Sequence, residues 1–134
     1  MLAVTIDRSI DDPVYEQVAG QIRLLIASGD LKPATPLPSV RQLAGNLGVN
    51  LNTVARAYRL LESEGFLAIR DRAGVAVAAP AGQFDHTKRA KLLDQMRATL
   101  ARLRQAGMTA EELMAIMRSE VSAMESGSKE NSNG

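Results

Sequence analysis

The hydrophobic pattern changes period several times along the chain, and each change marks an element. Leu2, Val4 and Ile6 alternate with Ala3, Thr5 and Asp7, which predicts a short half-buried strand. After Asp12-Pro13 the spacing becomes helical: Val14, Val18, Ile22, Leu25 and Ile26 share one face. Asp12 can cap this first helix, Pro13 stands where a missing N–H costs nothing, and Gly29 ends it. Three prolines between residues 32 and 38 predict an extended connector. Ser39 then caps a second helix that buries Val40, Leu43, Ala44 and Leu47. A tight turn follows at Leu47-Gly48-Val49, with Gly48 supplying a positive φ. Asn50 caps a third helix with the apolar side Val54, Ala57, Tyr58 and Leu61, ending at Gly65. Residues 66–70 and 75–79 are strand-like runs joined by Asp71-Arg-Ala-Gly74, a hairpin with glycine at its turn.

Pro80-Ala-Gly82 breaks the pattern and marks a boundary. Beyond it Leu93, Met96, Leu100 and Leu103 form a narrow seam on a helix over residues 87–106, ended by Gly107. Thr109-Ala-Glu-Glu112 is a capping box for a fifth helix, with Leu113, Ile116, Met117, Val121 and Met124 along one side. Residues 126–134 are rich in Ser, Gly and Asn and predict a disordered tail. Two helices cannot enclose these apolar stripes alone, so the stripes require a partner, and the simplest is a second copy of the chain. Five methionines after residue 90 suit an adaptable packing surface. The organisation expected is residues 1–80 as a helix-turn-helix with a β-wing, 81–125 as a helical dimerisation region, and 126–134 as tail. The class is mainly α with a small β element.

Composition narrows the chemistry more than it identifies it. In 134 residues, 46% are hydrophobic but only 3% aromatic, so aliphatic side chains must fill the core. No run approaches the roughly 20 apolar residues of a membrane span, and the start lacks a signal-peptide pattern. The absence of cysteine excludes disulfides and thiolate metal sites and fits a cytoplasmic protein. His86, the only histidine, is read as a linker residue and not as a metal ligand. No nucleophile–base pair, carboxylate dyad or glycine-rich phosphate loop is present, so neither catalysis nor a cofactor is expected. A net charge of +1 is weak support for nucleic-acid binding; the placement of Arg41, Arg56, Arg59, Arg70 and Arg72 around the helix-turn-helix matters more.

The side of the third helix opposite its apolar stripe carries amides and guanidiniums, the groups that read a DNA major groove. Leu51, Asn52 and Thr53 occupy its first turn, which enters the groove first. Asn52 can read adenine bidentately or merely cap the helix. Thr53 can meet phosphate or a thymine methyl, and Leu51 offers apolar contact alone. Arg41, early in the second helix, can grip phosphate or guanine, or stand as a plain surface arginine. Arg56 is assigned a phosphate contact; Arg59 either meets the backbone or pairs with Glu62 or Ser63. Arg70, Arg72 and Gly74 belong to the hairpin and can approach the minor groove, or, for Arg72, simply face solvent. Tyr58 is assigned to the core.

Several stretches in order resemble the winged-helix domain of GntR-family bacterial transcription regulators. They are Pro13-Val-Tyr-Glu-Gln-Val18, Gly29-Asp-Leu-Lys-Pro33, Leu37-Pro-Ser-Val-Arg-Gln-Leu-Ala44, Asn52-Thr-Val-Ala-Arg-Ala-Tyr58 and Leu61-Glu-Ser-Glu-Gly65. The short helical remainder is similar to the YtrA-type subfamily, whose appendage serves mainly for dimerisation. Larger members carry an effector domain, and one branch an aminotransferase-like domain, for which this chain has no room. Leu51 stands where that subfamily often has proline, a family contact position falls on Ala55, and the hairpin turn lacks the usual Gly-rich, Thr-containing pattern. The resemblance implies a sequence-specific regulator, a repressor or an activator with repressor preferred, acting as a homodimer on a near-palindromic operator, with transporter operons as associated targets. A small-molecule effector would have to act at the Met-rich appendage or its junction over residues 80–84. The competing expectation is a winged-helix module for protein–protein contact, which would have no need of Arg41, Asn52 and Arg56 on one exposed side.

Overall fold

A computed structural model describes residues 2–70, 74–79 and 86–132, with side chains described as far as Glu125. Three helices, α1 (Val14–Ala27), α2 (Val40–Leu47) and α3 (Leu51–Ser63), are followed by strands β2 (Leu67–Arg70) and β3 (Gly74–Val77). A two-residue strand, β1 (Pro36–Leu37), precedes α2, and the helices α4 (His86–Gln105) and α5 (Ala110–Ser132) complete the chain.

The local signals act as expected in the helix-turn-helix. Ser39 accepts from the Gln42 amide at 3.0 Å while the Gln42 side chain accepts from the Ser39 amide at 2.9 Å, a complete capping box for α2. Gly48 ends α2 with φ at 68°, the left-handed conformation that a side chain would resist. Asn50 caps α3 by accepting from the Asn52 amide at 2.8 Å. Val18, Ala19 and Ile22 of α1 pack against Val54, Ala57, Tyr58 and Leu61 of α3, and Leu43 and Ala44 of α2 close one side. Leu37, Leu67 and Val75 of the sheet complete this core. Tyr58 is its only aromatic member with no exposure, and its hydroxyl donates to the Pro38 carbonyl at 2.7 Å. Burial pushes this phenol up to about 12, so the side chain stays neutral and donating across the physiological range.

Five expectations need correction. The first residues do not form a strand. Val4 is buried as the alternation requires, but the segment lies along α1, where two glutamine side chains take the place of a neighbouring strand. Gln21 donates to the Thr5 carbonyl at 2.7 Å and accepts from its amide at 3.0 Å. Gln17, one turn earlier, donates to Asp7 at 3.0 Å and accepts from it at 2.9 Å. Second, Asp12 does not cap α1: Pro13 is the N-cap residue, with no side-chain cap. The Asp12 carbonyl instead accepts from Gln17 Nε2 at 3.0 Å.

Third, the proline-rich connector contains β1, which pairs antiparallel with β3 so that the sheet runs β1-β3-β2. Pro36 is tolerated there because β1 is an edge. Fourth, α5 continues through Ser132 where a disordered tail was expected. Once a helix is nucleated and capped, adding a poor helix former costs only its small propensity penalty. Fifth, His86 is the first residue of α4 and not part of a linker.

The hairpin is a wing, with Leu67 opposite Val77 and Arg70 opposite Gly74. Its turn residues 71–73, including Arg72, lie outside the described residues, as does the proposed junction at 80–84.

The appendage is built differently from the core. Thr109 caps α5 by accepting from the Glu112 amide at 3.1 Å. α4 buries no residue at all, and its Leu93, Leu100 and Leu103 are only half-covered. Met96 is 41% exposed, Ile116 48% and Val121 53%, with Met117 also on the surface; Leu113 alone is buried. The apolar stripes that the pattern predicts are therefore present and open.

Candidate nucleic-acid interface

The buried stripe of α3 sets its opposite face outward by helix geometry alone. Leu51, Asn52, Arg56 and Arg59 are exposed and Thr53 is half-buried beside them. Because Asn50 already caps the helix, the Asn52 side chain is left free: it has no hydrogen-bond partner among the described residues. That removes the capping reading of Asn52. Arg59 likewise pairs with neither Glu62 nor Ser63. Glu62 accepts from the Ile69 amide at 3.3 Å, and the Ser63 hydroxyl donates to the Leu60 carbonyl at 2.7 Å.

Arg41 is exposed on α2, one residue before the Gln42 that completes the capping box, so that turn is held in place while the guanidinium stays free. Arg70 is exposed at the end of β2 and faces Gly74 across the wing, where Gly74 has φ at 85°. The structure brings Leu51, Asn52, Thr53 and Arg56 together at one end of α3. Arg41 stands on α2 and Arg70 on the wing.

Four features were not legible in the chain. Arg56 lies with its Cζ 3.8 Å from the centre of the Tyr15 ring, a contact between α3 and α1. Val14, Tyr15, Asn52, Thr53 and Arg56 line a recess of about 390 Å³. Arg8 reaches the carbonyl of Gly48 at 3.4 Å, which sets a further cation beside the turn between α2 and α3. Arg23 is withdrawn from the cationic surface, since it pairs with Glu64 at 2.6 Å and lies 5.8 Å from the Phe66 ring. The only signal for the first contact was a tyrosine at the start of one amphipathic helix and an arginine on the open face of another.

Among the described residues no cluster of His, Cys, Asp or Glu could hold a metal ion, and no helix is long and apolar enough to cross a membrane. What is concentrated here is hydrogen-bonding and cationic groups on the exposed side of a helix beside a two-stranded wing. That shape is complementary to a groove and a phosphate backbone.

Comparison with known proteins agrees. Residues 14–77 match the family described as bacterial regulatory proteins, gntR family. The HTH-type transcriptional repressor YtrA of Bacillus subtilis is 33% identical over 129 residues, which span 96% of this chain and 98% of that protein. The HTH-type transcriptional regulator Rv1152 of Mycobacterium tuberculosis is 43% identical over 82 residues, 61% of this chain and 64% of that one. Among solved structures, YtrA from Sulfolobus acidocaldarius, a GntR-family transcription factor, superimposes with a TM-score of 0.60 at 39% identity, covering 75% of this chain and 99% of that one. The chain thus belongs to the YtrA-type branch of the GntR family of bacterial transcription regulators, and carries that family's helix-turn-helix DNA-binding domain.

Proposed function

We propose that the protein is a repressor that binds a near-palindromic operator as a homodimer, residues 1–80 reading DNA and residues 81–125 joining two copies. The observation that supports DNA reading best is the free polar face of α3, with Asn52 released from capping duty and Arg56 beside it. Asn52 reads adenine, Thr53 and Leu51 meet the floor of the groove, and Arg41, Arg56 and Arg59 hold phosphates. Arg70, Arg72 and Gly74 lie along the minor groove. The open stripes on α4 and α5 support pairing, because two copies can cover what one leaves exposed. The repressor assignment follows the likeness to the Bacillus protein of that description.

Two substitutions separate base reading from backbone holding. Asn52→Ala is expected to lose about 1–3 kcal/mol and to relax specificity at one position per half-site. Arg56→Ala is expected to weaken all sequences alike and to lower the salt slope by about one per half-site. Titration of both against DNA flanking the protein's own gene, at several salt concentrations, checks this. Wild-type affinity for both variants, with the fold intact, would remove α3 from the interface and favour a protein–protein role.

A further inference from the structure

We infer that Tyr15, on α1, is a positioning residue for the DNA contact of Arg56: its ring is a platform on which the guanidinium is set before DNA arrives. This rests on the DNA-binding reading above.

Ordering a long side chain carries an entropic cost. An exposed arginine samples many rotamers, and fixing one on binding opposes affinity. Here the Cζ of Arg56 lies 3.8 Å from the centroid of the Tyr15 ring, which is van der Waals contact with the ring face. Face contact uses the flat side of the guanidinium and leaves its N–H donors around the edge. None of those donors is hydrogen-bonded to a described residue, so the edge is free to grip two oxygens of a phosphate.

The ring is itself held. It is half-buried at the first turn of α1, and its hydroxyl donates to the Glu16 carboxylate at 3.1 Å. Glu16 thus sets a carboxylate at the hydroxyl end of the ring. The recess beneath is shared with Asn52 and Thr53, which stand four and three residues before Arg56 on α3. The stack therefore fixes the cation next to the turn that enters the groove, and couples its position to α1. Lysine at this position would keep the charge but not the flat face.

The test uses the full-length protein and a duplex carrying its selected operator, read by fluorescence anisotropy over a salt series. Tyr15→Phe keeps the ring face and is expected to bind within about two-fold of wild type. Tyr15→Leu is expected to weaken binding about 5- to 10-fold on operator and unrelated duplex alike, with the salt slope falling towards that of Arg56→Ala. Arg56→Lys is expected to lose a similar factor. The double variant Tyr15→Leu with Arg56→Ala should be no weaker than Arg56→Ala alone, because the ring acts only through the arginine. In the free protein, the ring should shift the Arg56 side-chain proton resonances upfield in wild type and Tyr15→Phe but not in Tyr15→Leu. Should Tyr15→Leu melt early, Tyr15→Met fills the same space without an aromatic face and gives the same comparison. Wild-type binding by Tyr15→Leu while Arg56→Ala is impaired would overturn the platform and leave the DNA reading standing, as would additive losses in the double variant. A wild-type protein that binds no DNA would overturn the reading on which the platform rests.

Discussion

A chain cut after Ala81 is expected to be monomeric and to bind the operator about 10²- to 10⁴-fold more weakly than the full chain. The core explains why such a fragment still folds: its members run from Val4 to Val75 and none comes from α4 or α5. The loss is therefore one of valency. With two reading heads joined, occupation of one half-site holds the second head at a high effective concentration over the other, and a lone head has no such advantage. The joining force is legible in the exposures: Met96, Ile116, Met117 and Val121 stay open on one copy, and covering them against another removes apolar surface from water. Light scattering of both chains, with parallel operator titrations, checks both halves of the expectation. A full chain that is monomeric at micromolar concentration, or a fragment with undiminished affinity, would contradict it.

Leu61→Ala is expected to destabilise the reading domain by about 2–5 kcal/mol. Leu61 has no exposed surface and lies on α3 in the cluster that includes Ile22, Val54 and Tyr58, so its removal leaves a cavity that rigid neighbours fill only in part. A domain of this size carries a total stability of about 5–15 kcal/mol. The melting temperature should accordingly fall on the order of 10–30 °C. Because Leu61 points away from the open face of α3, operator affinity measured well below the melt should remain near wild type. Thermal denaturation by circular dichroism, paired with a cold titration, separates the two effects. An affinity loss at a temperature where the variant is fully folded would place Leu61 closer to the interface than its burial allows.

Most of the helix-turn-helix could be read from the chain because its signals are local. Ser39, Gly48 and Asn50 act within a few residues of themselves, and the stripe Val54, Ala57, Tyr58, Leu61 states which side of α3 is buried. Two of the misreadings, the N-terminal strand and the connector, have a different cause: each depends on a partner distant in sequence. Leu2, Val4 and Ile6 alternate like a strand, yet the groups that satisfy this stretch are Gln17 and Gln21 on a helix. β1 exists only because β3 returns beside it, and a two-residue pairing leaves no periodic trace. The candidate site was legible as a set of exposed side chains, and the structure places Asn52, Thr53 and Arg56 together. The Tyr15 contact was not legible, since it joins residues 41 positions apart through the packing of α1 on α3.

Paired reading heads specific for one DNA sequence can be detected by titrating the full chain against its selected operator and a scrambled duplex of equal length at physiological salt. Two chains should bind per operator, with a preference of about 10³-fold or more for the operator. Equal affinity for the two duplexes, or saturation at one chain per operator, would contradict this.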